Sequence, residues 1–247
     1  MSNVAIITAR GGSKRIPKKN IKIFCGKPVI AYVVMAALDS GLFDEVMVST
    51  DCQEIAEVAE AYGASVPFMR SATTSDDYAT TADVLQEVLN SYAERDKTFD
   101  FMCCLYPTAP FVTAEKLRAA YSVFIDSGAE MLEPVVAFSY PPQRSFSITE
   151  GLLVYNYPEY VRTRSQDLPT WYHDVGQFYF YNVAAFCRSL ERENNQRGYD
   201  LRCVPFIMNE LEVQDIDTEL DWRLAEVKYC LLQDMCGRFP GNDEEHI

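Results

Sequence analysis

Two stretches of the chain hold residue types that could do chemistry. The first is TARGGSKRIPKKN, residues 8–20: six of the 22 lysines and arginines fall between positions 10 and 22, where an even spread would put about one. Gly11 and Gly12 let the backbone come close to a ligand and turn N–H groups toward it, while Arg10, Ser13, Lys14 and Lys19 can supply charge and hydrogen bonds to phosphate oxygens. A polyphosphate fits this set, and a basic surface turn would have the same composition. The loop lacks the glycine before the lysine that G-x-x-x-x-G-K-[ST] needs and the alternating glycines of G-x-G-x-x-G, so a Walker ATPase and a dinucleotide dehydrogenase are disfavoured. The second stretch is QDID, 214–217, where an extended backbone points Asp215 and Asp217 to the same side, a spacing that can share one hard divalent ion. Asp217 could instead cap the helix that follows, as could Thr218 with Asp221 as its capping-box partner.

Composition narrows the partners. The net charge is −14, and with those six set aside, 16 basic residues face 36 acidic ones, which argues against duplex nucleic acid or an anionic membrane as partner. The apolar run Val4–Ile7 is too short for a signal-peptide core and no later window approaches a membrane span, so a cytoplasmic location is expected. The eight cysteines form no C-x-x-C and read as buried reduced thiols rather than a zinc or disulfide framework.

The elements that must position these residues alternate. Strand patterns at 3–9, 45–51, 66–70, 101–110 and 130–138 are interleaved with helical ones at 27–41, 52–63, 80–93 and 114–127. This predicts an α/β fold with a doubly wound, mostly parallel sheet, and it places the basic loop at the C-terminal edge of the first strand, where such sheets bind ligands. Between 139 and 170 the pattern breaks into prolines and a hairpin turning at Glu150-Gly151, as expected of an insertion. Strands at 176–183 and 202–208 and an amphipathic helix at 217–235 follow. The expected division is a catalytic domain of 1–138 plus 171–236, an inserted element of 139–170, and a flexible tail of 237–247.

Taken together, ARGGSKRIPKKNI, STD at 49–51, LYPTAPF at 105–111 and QDIDTELDWRLAE at 214–226 resemble, in order, the motifs of the CMP-sugar synthetases, the cytidylyltransferases that activate sialic acids and related 3-deoxy-2-keto acids. KNIKIFCGKPVIAYVV, RSATTSDDYATTADVL and RSQDLPTWYHDVGQFYF look most like the branch acting on pseudaminic acid, and Tyr106 stands where sialic acid enzymes usually carry glutamine. The resemblance implies a Rossmann-like fold and transfer of CMP from CTP to a nine-carbon keto sugar acid. It also implies Mg²⁺, for which Mn²⁺ could substitute, at Asp215 and Asp217, and a homodimer formed through 139–170. In the same way it implies that Arg10, Lys14 and Lys19 act on the triphosphate, helped by Ala9, Gly11, Gly12 and Ser13. Asn20, Arg70, Ala79, Thr80 and Thr81 match the positions that recognise cytosine and ribose, with one of the two threonines also expected to cap its helix.

For the sugar the resemblance offers Tyr106, Arg164, Gln166, His173, Asp174, Gln177 and Tyr179. A carboxylate calls for a guanidinium or amide and an N-acetyl methyl for an aromatic wall. His173 invites a base role, yet a single histidine before a strand more often makes a structural hydrogen bond. Phe178 and Phe180, at strand spacing, are expected in the core.

Overall fold

The computed structural model describes residues 1–191 and 201–235; the expected tail at 237–247 lies outside them. A central sheet is ordered β11-β6-β10-β5-β1-β4, with β9 also paired to β6. Its members are β1 (Asn3–Thr8), β4 (Glu45–Ser49), β5 (Phe101–Leu105), β6 (Met131–Ala137), β9 (Tyr172–Asp174), β10 (Phe178–Asn182) and β11 (Cys203–Ile207). β1 runs parallel to β4 and β5, and β11 parallel to β6, while β10 is antiparallel to β5 and β6.

Alternation along β1 builds a core on each face of the sheet. Ala5 and Ile7 face one buried cluster with Ile30, Val33, Leu117 and Phe124 from α1 (Val29–Ser40) and α4 (Ala114–Ser127); α2 (Gln53–Ala61) adds Ile55 and Ala59. Val4 and Ile6 face the other, with Leu85 and Val88 of α3 (Thr81–Ala93) and Phe186 of α5 (Val183–Leu190). Phe178 and Phe180 are fully buried, as their spacing suggests.

A third, smaller cluster matters more for the site. It joins Ile16 of the basic loop, Phe24, Val29, Phe111 and Ile216 to Trp222 and Ala225 of α6 (Glu219–Met235). Phe24 is its hub, with its ring edge-on to Tyr32, Trp222 and Tyr229 at centroid distances of 5.6, 5.6 and 5.5 Å.

Several boundaries differ from the sequence reading. Lys27 and Pro28 form β3 (Lys27–Pro28), which pairs with β2 (Ile23–Phe24), so α1 begins only at Val29. Residues 66–70 form no strand, and the pairing beside β4 is a single bridge from Met47 to Ser65, because Pro67 has no N–H for a ladder. α5 was hidden because the strand pattern runs straight into Asn182, whose side chain accepts from Ala185 N and caps the helix. Of the described cysteines, Cys103 and Cys104 are buried, but Cys25, Cys187, Cys203 and Cys230 are exposed, correcting the expectation of buried thiols.

Within 139–170, β7 (Phe146–Thr149) and β8 (Leu152–Tyr155) form a separate two-stranded hairpin. Its Glu150-Gly151 turn has positive φ at both positions, 53° and 78°. Every residue of β7 and β8 is exposed.

Candidate active site

The basic loop leaves the C-terminal end of β1 and is fastened from both sides. Ala9 N donates to Ser49 O at 2.9 Å, and Gly11 N donates to Asp51 Oδ1 at 2.7 Å. A Cβ on Gly11 would stand 2.9 Å from Cys52 Cβ, so only glycine allows this approach. The buried Asn20 donates from Nδ2 to Arg10 O at 2.9 Å and closes the loop on itself.

The loop forms one wall of a cavity of about 500 Å³. Arg10, Ser13, Lys14, Lys19 and Asn20 line it, as do Arg70, Ala79, Thr80, Thr81 and Tyr106 from the far side. Ala9, Gly11 and Gly12 do not line it and instead set the path of the loop. Arg70 is buried, and its guanidinium donates to Ser49 Oγ at 3.0 Å and Ser49 O at 2.6 Å. Thr80 is the cap of α3, in a capping box with Asp83, while Thr81 turns its hydroxyl to Tyr106 OH at 3.1 Å.

Arg10 and Lys14 both pair with Asp77, Arg10 at 2.9 Å. Hydrogen bonds from Lys14 and then Arg10 hold Asp77 below the usual carboxylate range. Lys19 is half-buried; its Nζ donates to Ile216 O at 2.7 Å and lies 3.5 Å from Asp217, which Arg15 approaches at 2.7 Å. The basic loop and the QDID segment therefore touch.

Thr218 and Asp221 form the capping box of α6: Thr218 N donates to Asp221 Oδ2 at 2.7 Å, and Asp221 N donates to Thr218 Oγ1 at 3.3 Å. This relieves Asp217 of capping with its side chain. The Asp215 carboxylate accepts no hydrogen bond and makes no ion pair among the described residues; burial, then Asp217, push its pKa up against the opposing pull of Lys19 and Arg15. An acid pair with one member unpartnered fits a divalent cation, which takes a few protein oxygens and completes its shell with water and phosphate.

Tyr106 also lines a second cavity of about 580 Å³, with His173, Asp174, Ser139, Glu210, Asp215 and Lys228. Asp174 accepts from Gly176 N at 3.0 Å and from Tyr179 OH at 2.8 Å and 2.7 Å. His173 Nδ1 bonds Asp174 O at 2.8 Å, and its ring rests on Phe138.

Four of the residues expected at the sugar do not line this cavity. Arg164 pairs with Asp167 at 2.7 Å on an exposed turn, and Gln166 is exposed on the same turn. Gln177 is buried, donating to Glu212 O at 2.7 Å, which anchors the segment leading to Asp215. Tyr179 lies behind Tyr106, ring centroids 5.6 Å apart, and its hydroxyl orients Asp174. Asp77, Arg15 and Lys228 were missed. Asp77 and Arg15 sit inside quoted motifs as further charges, while Lys228 stands three residues, close to one helical turn, after the buried Ala225, an inward place for a lysine.

A cationic glycine turn facing an acid pair at the carboxyl edge of a largely parallel sheet defines an α/β nucleotidyltransferase. The chain belongs to the cytidylyltransferase family, whose model matches residues 4–153. It is 43% identical to a pseudaminic acid cytidylyltransferase of Campylobacter jejuni over 93% of this chain and 97% of that one. It is 35% identical to a CMP-N,N'-diacetyllegionaminic acid synthase of Legionella pneumophila, over 92% of this chain and 95% of that one. Among solved structures, a CMP:2-keto-3-deoxy-manno-octonic acid synthetase complexed with CTP superposes with a TM-score of 0.64 at 20% identity, covering 95% of this chain and all of the other, which supports the fold.

Proposed function

We propose that the protein transfers CMP from CTP to pseudaminic acid, releasing pyrophosphate. The observation that carries the reading is the contact between the basic loop and the QDID segment, Lys19 Nζ to Ile216 O, in a chain 43% identical over nearly its whole length to a relative of that name. The sugar's C2 hydroxyl loses its proton and bonds to the α-phosphorus as the bond from that phosphorus to the β-phosphate bridging oxygen breaks.

Arg10, Ser13, Lys14 and Lys19 hold the β- and γ-phosphates and meet the charge that grows on pyrophosphate as it departs, the kind of preorganised stabilisation that is worth most in the transition state. Arg70 and Asn20, both buried and fixed, offer donors and shape for a pyrimidine nucleoside. Asp215 and Asp217 would hold Mg²⁺, or Mn²⁺ in its place, which when bound neutralises phosphate charge and acidifies an attached hydroxyl. Tyr106, shared by both cavities, stands where the nucleotide and the sugar meet. His173 and Asp174 face the sugar; Asp174 already accepts from two donors, the Gly176 N–H and the Tyr179 hydroxyl shared between its oxygens, and is better placed to orient a hydroxyl than to take its proton.

We further propose that the protein works as a homodimer in the cytoplasm; among the described residues no helix is long and apolar enough to cross a membrane. Pyrophosphate release tests the reaction, with CTP, MgCl₂ and, in turn, pseudaminic, legionaminic and sialic acids. Fastest release with pseudaminic acid is expected. Preference for legionaminic acid would move the substrate assignment to the Legionella relative's class, and no release with any acid would remove it.

A further inference from the structure

We propose that Lys228 of α6 grips the C1 carboxylate of the sugar acid, a role that rests on the second cavity being the sugar site. Three carboxylates line that cavity, Asp174, Glu210 and Asp215, against a single lysine and no arginine. With Asp215 assigned to the metal, Asp174 and Glu210 still face the sugar's own carboxylate, and a cation on their side of the cavity offsets that repulsion. Arg164, the guanidinium that the sequence offers, is paired with Asp167 and does not line the cavity.

Lys228 is held as such a cation should be. Its Nζ donates to Val213 O at 2.7 Å and reaches Glu210 O at 3.5 Å, and among the described residues it has no carboxylate partner. Backbone carbonyls fix the ammonium without cancelling its charge, and an ammonium has three donors. Other lysines near this segment are neutralised: Lys116 pairs with Glu212 at 3.0 Å, and Lys22 with Glu219 at 2.7 Å. Two of the cavity's acids already have donors, Glu210 from Ser139 and Asp174 from Tyr179 and Gly176, so neither needs the lysine. C1 adjoins C2 in the substrate, so a grip on the carboxylate also confines the attacking hydroxyl. Asp215 lines the same cavity as Lys228 and Val213, so the grip sets the sugar's reacting end on the side of the acid pair.

A lysine that merely tethered 210–213 would make the same carbonyl contacts, so the test must read charge recognition. Steady-state kinetics are measured for the full chain with pseudaminic acid and with its C1 primary amide, in wild type, Lys228→Met and Lys228→Arg. Wild type should favour acid over amide by on the order of 100-fold in kcat/KM, as suits one charged hydrogen-bonded pair. Lys228→Met should raise KM for the acid, leave KM for CTP within about twofold, and bring the acid-to-amide ratio near one, with Lys228→Arg restoring part of it. A Lys228→Met enzyme that keeps the preference, whatever its rate, overturns the proposal. So does a wild type that uses acid and amide alike, a result that needs no variant to fold. Failure of every nine-carbon acid to release pyrophosphate removes the sugar-site reading itself, and Lys228 with it.

Discussion

At the scale of single residues the nucleotide cavity is tuned by competition. Arg10 and Lys14 both rest on Asp77, and under the proposed function a triphosphate has to take them from it. Exposed pairs of this kind are weak and screened by salt, so the displacement is easy but not free. Replacing Asp77 by Asn should therefore lower KM for CTP about threefold at low ionic strength with kcat little changed, and the gain should shrink as salt rises. An unchanged or higher KM would place the Asp77 pairs off the binding path. The charges of this loop were legible in the sequence because they are local: six cations within 13 residues announce themselves. Asp77 and Lys228 were not, since each gains its meaning from a partner that only the folded chain brings near.

At the scale of elements, the wall of the nucleotide cavity hangs on α3. Glu87 accepts from Ser71 N at 2.8 Å and Ser71 Oγ at 2.6 Å, and also from the Thr74 hydroxyl, pinning the loop that carries Asp76, Asp77 and Ala79. Burial pushes the Glu87 pKa up, but the hydrogen bonds from Ser71 and Thr74 outweigh it and leave the pKa below the ordinary value. A depressed carboxylate stabilises above its unfolded pKa of about 4.3 and loses that contribution as pH falls through the lower folded value. Measured against the intrinsic amide rate at each pH, hydrogen exchange across 71–79 should accordingly stay strongly protected at neutral pH and quicken in relative terms once the pH falls below the ordinary carboxylate value. Glu87→Gln should show the quickened exchange already at pH 7, with a raised KM for CTP; unchanged exchange in that variant would mean the loop is held by something else. Element patterns were readable wherever period and punctuation agreed, as at Gly41 and Gly128, which end α1 and α4 with positive φ. The β2–β3 hairpin escaped because its turn is Cys25-Gly26, with φ of 42° and 95°, and cysteine gives no warning of a positive φ. The second hairpin, turning on glutamate and glycine between a longer pair of alternating runs, could be seen.

For the whole molecule, the hairpin of β7 and β8 is the part that does not pay its way alone. Ile148, Leu152 and Leu153 are 78%, 70% and 68% exposed, which a lone folded chain has little reason to keep. Light scattering at micromolar concentration should give twice the chain mass of 28.1 kDa, and Ile148→Asp with Leu153→Asp should give the chain mass itself. A wild-type chain that scatters as a monomer would end the dimer proposal.

The meeting of Lys19 with Ile216 joins positions 197 residues apart, and the cluster of Ile16, Phe24 and Trp222 seals that junction. On the metal role proposed for the acid pair, competence arrives late in biosynthesis: a nascent polypeptide can lay down β1, β4 and β5 and still be inert, because Asp215 and Asp217 have not yet left the ribosome. A protease that nicked the span between β11 and α6 would impose the same silence on a finished enzyme while sparing most of its sheet.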